Sequence, residues 1–146
     1  MCLDITKQQY DDYVLRRKVL ASRIEVLLLT RIGAKDFIDE WESSRKAANS
    51  YKKFLITCNK LARAGTGLFI KIGRLRSIGD NIYELKEPSS VKRVMCCAVD
   101  DCSNVIMLFA FDGHKGTGQI PPEVVKRAKR LEKIAVSLYE KEKHCD

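Results

Sequence analysis

The chain has 146 residues, 27 Lys plus Arg against 19 Asp plus Glu, and a formal net charge of +8. That length predicts one domain, 1–146, with a real core, since a chain of this size buries roughly two-thirds of its unfolded surface. A composition 45% hydrophobic and 32% charged, with 8 Gly and 3 Pro, excludes disordered, collagen-like and Pro-rich designs.

Residues 5–21 read as a helix capped by Asp4, because Tyr10, Tyr13, Val14, Arg17 and Ala21 keep three-to-four spacing. Residues 23–30 read as a strand, with a helix continuing to Leu29 as its competitor. Residues 35–47 are predicted helical, with Phe37, Ile38 and Trp41 on one side. Asn49 or Ser50 can cap the next helix, in which Tyr51, Phe54, Leu55, Cys58, Leu61 and Ala62 fit the i, i+3, i+4, i+7 pattern. It should stop near Gly65 or Gly67.

The period then changes. Residues 82–87 form a short strand closed by Pro88-Ser89-Ser90, and 91–99 form a second. Asp100, Asp101, Ser103 and Asn104 supply turn chemistry, and the nearly all-apolar run 105–111 suggests a strand buried on both faces. Pro121-Pro122 opens a last helix with the apolar stripe Val124, Ala128, Leu131, Ala135 and Leu138. The order predicts an α+β domain: a small, mostly antiparallel sheet of about four strands flanked by helices, with an N-terminal helical extension over 1–22 and a C-terminal helix. The apolar runs 26–29 and 105–111 are too short for a membrane span, and 1–10 has no apolar stretch behind a basic segment. A soluble, cytoplasmic protein with no membrane partner is expected.

The six cysteines, Cys2, Cys58, Cys96, Cys97, Cys102 and Cys145, form no C-x-x-C pair, so reduced thiols are expected. Cys96 and Cys97 would point to opposite faces of their strand as small core residues. His144-Cys145 offers two ligands, which do not make a zinc site, and neither metal nor cofactor is expected.

The charge is uneven. Residues 52–93 carry 10 basic and 3 acidic groups, against 9 and 8 over 1–51, 1 and 3 over 94–120, and 7 and 5 over 121–146. A basic excess points to nucleic acid, an anionic membrane or an acidic protein, or else to a solvated face without a ligand. Strand alternation puts Tyr83 and Leu85 on the core face, with Glu84 and Lys86 opposite; Val94, Cys96 and Ala98 suit the core, with Arg93 opposite. Lys86 and Arg93 can therefore share one open face. Arg74 and Arg76 precede these strands, Lys92 adjoins Arg93, and His114 and Lys115 follow the last strand.

Such a basic concavity can do chemistry on RNA, where the ribose 2′-OH is itself the nucleophile. The enzyme holds the attack in line, stabilises the phosphorane and moves two protons. Arg clamps phosphate oxygens, and His transfers protons near neutral pH. Each residue has a plainer alternative: Arg93 as an ion pair with Glu84, Lys86 as a solvated lysine, His114 as a loop histidine, Arg127 and Arg130 as the wet face of the last helix.

The segments "LRSIGDNIYELKE", "VKRVMCCAV" and "NVIMLFAFDGHKGTGQIPPEVVKRAKRL" resemble the RelE/HigB superfamily of toxins of type II toxin–antitoxin systems, particularly its phage-derived, HigB-like branch. With the helical pair before them, the resemblance covers roughly residues 23–135, leaving 136–146 as the end of the last helix and a tail. It implies an mRNA endoribonuclease acting at the ribosome and silenced by a cognate antitoxin, expected to be a helix-turn-helix protein. Arg93 matches the strand arginine at the scissile phosphate, Lys86 stands where the family has the arginine of Glu-Leu-Arg, and His114 and Lys115 stand in the place of a lysine pair. Catalytic candidates are therefore Arg93, Lys86, His114 and Lys115, with Arg74, Arg76 and Lys92 as RNA-binding candidates. A non-catalytic RNA- or ribosome-binding module, or a protein-interaction domain for an acidic partner, are the competing expectations.

Overall fold

The computed structural model describes residues 10–21, 23–86, 92–113 and 119–144. It is an α+β fold in three layers. The strands are β1 (Tyr13–Leu20), β2 (Ile24–Arg31), β3 (Leu75–Gly79), β4 (Ile82–Lys86), β5 (Lys92–Val99) and β6 (Asn104–Asp112). The helices are α1 (Phe37–Ser43), α2 (Ala48–Ala64), α3 (Thr66–Lys71) and α4 (Pro122–Lys143). All six strands lie in one sheet in the order β1-β2-β6-β5-β4-β3. Every neighbouring pair is antiparallel except β2 and β6, which run parallel through Leu27↔Ile106 and Leu28↔Met107. The sheet is thus mixed and six-stranded, larger than the four mostly antiparallel strands expected.

Two cores sandwich the sheet. On one face Ile38, Trp41, Phe54, Cys58, Leu61 and Phe69 of α1–α3 pack on Leu28, Leu75, Leu85, Val94 and Cys96. On the other, Ala128, Leu131, Ile134 and Ala135 of α4 pack on Ile82, Met95, Cys97, Ile106 and Phe109. Cys96 and Cys97 fall in different cores, as the period of two requires. The apolar stripe expected of the last helix lies in the second core, and Pro122 occupies its first turn.

Several expectations are corrected. Residues 13–20, read as helix, form the edge strand β1, paired with β2 from Tyr13↔Arg31 to Leu20↔Ile24. The three-to-four spacing of this stretch is overridden by a complete strand partner eight residues long. The helical extension is therefore not formed over 13–20, and Asp4 and residues 5–9 lie outside the described residues. β3 is a strand that the sequence pattern does not mark. It joins β4 through a two-residue turn in which Asp80 and Asn81 both have positive φ (51° and 65°), the geometry that Asp and Asn tolerate best. Helix α1 is shorter than 35–47, and α2 begins at Ala48 with no side-chain cap, so Asn49 and Ser50 do not cap it. Gly65 (φ 91°) does stop α2, and the short α3 follows at once.

Two adjacent cations tie β1 to both outer layers. Lys18 Nζ lies 3.0 Å from Asp36 Oδ2 and also pairs with Asp39, while Asp36 caps α1 by accepting the Asp39 N–H at 2.8 Å. Arg17, on the opposite face, pairs with Glu142 of α4. The turn before β6 holds Asp100, Asp101 and Cys102 at positive φ, and Asp100 accepts from the Tyr139 hydroxyl and, at 2.9 Å, from Lys143. Among the described residues, no helix is long and apolar enough to cross a membrane.

These ties make two predictions. Asp36 is 8% exposed and holds both a helix cap and an ion pair, so Asp36→Ala should cost about 1–2 kcal/mol in urea denaturation. The Lys18 bond holds the Asp39 carboxyl below its ordinary value, and the Tyr139 and Lys143 bonds do the same for Asp100. Carboxyls that titrate lower folded than unfolded add stability above the ordinary carboxylate range of about pH 4 and lose it as pH falls through their folded values. Tm followed by circular dichroism should drop below that pH, and Asp39→Asn should flatten the drop.

Candidate functional site

The sheet's α4 face is covered only as far as the helix reaches. Past its first residues, the ends of β3, β4, β5 and β6 project Arg76, Glu84, Lys86, Arg93 and Phe111 into a narrow cleft of about 40 Å³. Gln119, Ile120 and Pro121 close its other side. Three pieces of register build it: Arg76 sits across from Glu84, Lys86 from Arg93, and Arg93 from Phe111. The face predicted to be open is therefore mostly roofed by α4, with its polar residues at one end.

Burial sets the electrostatics. Arg93 is 4% exposed and donates from Nη1 to the Lys92 carbonyl at 3.0 Å. Glu84, read as pointing to an open face, is also 4% exposed, and its Oε1 lies 3.1 Å from Nη2 of the half-exposed Arg76. A buried charge needs a partner, and these groups provide one for Glu84. The cleft thus presents three cations around a carboxylate, with Asp112 at the rim engaged by Lys92 at 2.8 Å.

Of the residues singled out from sequence, Arg76, Lys86 and Arg93 come together here. Arg74 and Lys92 do not. Arg74 precedes β3 and turns to the α2 side, with its guanidinium 3.2 Å from Thr57 Oγ1 and 5.5 Å from the Phe69 ring centre. Lys92 neighbours Arg93 on β5, so its side chain takes the other face, 5.9 Å over Trp41. His114 and Lys115 lie outside the described residues, although Gly113 and Gln119 on either side of that segment both line the cleft.

The basic run 52–93 splits in the same way. Lys52, Lys53, Lys60, Arg63 and Lys71 belong to α2 and α3, across the sheet from the cleft. Glu84 and Phe111 are site residues that the sequence pattern does not single out, although Glu84 shares its strand face with buried Ile82. Arg127 is exposed, as the wet face of the last helix predicts, and its guanidinium lies 4.2 Å from the Phe109 ring centre.

Among the described residues, no group of three or more His, Cys, Asp or Glu is placed to hold a metal ion. Burial pushes the Cys58 and Cys97 thiols up to about 12, and Cys96 well above its ordinary value, which disfavours the thiolate form. The chemistry available to the cleft is anion binding by guanidinium and ammonium groups. No protein-family model, curated protein or solved structure matches the chain.

Removing Arg76 strips a buried carboxylate of its ion pair. Arg76→Ala should therefore destabilise the fold by about 1–3 kcal/mol in chemical denaturation, well above an ordinary surface arginine. The double variant Arg76→Ala/Glu84→Gln should regain part of that loss.

Proposed function

We propose that this protein is the toxin of a toxin–antitoxin pair, a metal-independent endoribonuclease of RelE/HigB type that cleaves mRNA at the ribosome. The observation that carries this reading is the convergence of Lys86 and Arg93, in direct register on β4 and β5, with Arg76 in one cleft. Two of these are the positions that the resemblance marks for phosphate contact. The RelE-like version of the α+β fold and the cytoplasmic location belong to the same proposal.

In this mechanism the ribose 2′-oxygen attacks the adjacent phosphorus and the P–O5′ bond breaks, leaving a 2′,3′-cyclic phosphate and a 5′-hydroxyl. One proton leaves the 2′-OH and one is delivered to O5′. Arg93, held by its carbonyl contact, meets the non-bridging oxygens, and Lys86 and Arg76 neutralise the charge that grows on the phosphorane. His114 is the group suited to proton transfer near neutral pH, with Lys115 as a further phosphate contact. An acidic antitoxin segment laid over the same cations would silence the site.

The deep burial of Arg93, and a lysine at position 86 where a bidentate fork is expected, favour one second reading: an RNA-binding module without cleavage. Induced expression separates the two. The toxin reading expects growth arrest, cleaved mRNA on translating ribosomes, and relief by Arg93→Gln with cleavage reduced about 100-fold or more. Harmless expression with intact mRNA and salt-sensitive RNA binding establishes the second reading instead.

A further inference from the structure

We propose that Phe111 is a stacking platform for a nucleobase, so that the cleft takes single-stranded RNA with its phosphate among the cations and the adjoining base laid on this ring. The inference rests on the RNA reading above and adds what the site recognises beyond phosphate. Phe111 sits across from Arg93 in the β5–β6 register, lines the same cleft as Arg76 and Lys86, and keeps part of its surface exposed. Behind it, 6.4 Å away, is the ring of Phe109, which is 6% exposed and carries the Arg127 guanidinium at 4.2 Å. The ring is thus backed by a packed aromatic and bordered by cations.

Size dictates the rest. An engineered apolar cavity of about 150 Å³ holds one benzene ring, whereas this cleft offers about 40 Å³. A base therefore cannot enter beside the phosphate. It lies at the mouth, where Phe111 is the aromatic surface that lines the cleft. Bases of a duplex are already stacked on one another and cannot reach it, whereas an unpaired base can. A purine, with its larger π face, gains most.

The test uses the full chain and fluorescence anisotropy at low salt. The probes are a 2′-O-methyl oligoadenylate, which lacks the nucleophile and is not cut, and an abasic oligonucleotide of equal length. Wild type should prefer the oligoadenylate. Phe111→Leu, which keeps apolar bulk without a π face, should weaken it roughly tenfold and leave abasic binding unchanged, while Phe111→Tyr should restore it. Lys86→Ala should weaken both probes alike. Thermal melts of each variant verify folding. If Lys86→Ala weakens binding but Phe111→Leu binds both probes as wild type does, the stacking role falls and the RNA reading stands. Equal loss of both probes in Phe111→Leu means a packing role and also overturns it. If wild type binds neither probe, the RNA reading falls and takes this inference with it.

Discussion

Burial of the sheet on both faces is the constraint from which the other features follow. Met95, Cys96 and Cys97 at the centre of β5 have no exposed surface, because helices cover them from both sides. A strand enclosed in this way can carry charge only where the covering layer ends. Arg93 stands near the start of β5, close to where α4 begins at Pro122, and Glu84 and Lys86 stand at the matching end of β4. The cleft is the place where the roof stops. Its cations are held firmly because they rise from strands, which position side chains more tightly than loops do.

The net charge proves a blunter guide to ligand binding than it first suggests. Arg17, Lys18, Arg74 and Lys143 tie the helices to the sheet and its turns, and Lys92 joins β5 to β6. The lysines of α2 and α3 face away from the cleft. Arg76, Lys86 and Arg93 are the cations of the basic run 52–93 that line the cleft. Arg127 borders them only through its contact with Phe109.

Much of the second half of the chain was legible from its residues. Turn formers, two prolines and unbroken apolar runs bound β4 to α4, and the period of two assigned Arg93, Lys86 and both core cysteines to their faces. The first half was less so. Tyr13, Val14 and Arg17 satisfy a helical spacing while their true partner, β2, lies beyond a turn, and no local rule weighs that pairing. β3 is five residues long, with Arg76 and Ser77 side by side between Leu75 and Ile78, so it lacks an alternating pattern of its own. In the site, alternation named the right face but could not say that α4 roofs it, which is why Glu84 and Phe111 were passed over. Arg74 escaped because it precedes its strand, where alternation does not apply.

Among the described residues β1 ends the sheet and presents a row of backbone donors and acceptors with no further strand beside them. Such an edge invites templated assembly. Its middle, however, reads Arg16-Arg17-Lys18. A second copy of β1 laid antiparallel about that midpoint sets arginine against arginine, and like charges directly opposite one another repel. The residues that moor this strand to its helices thus also guard it against fibril growth. Losing that basic triplet would loosen the edge and expose it to self-association in one step.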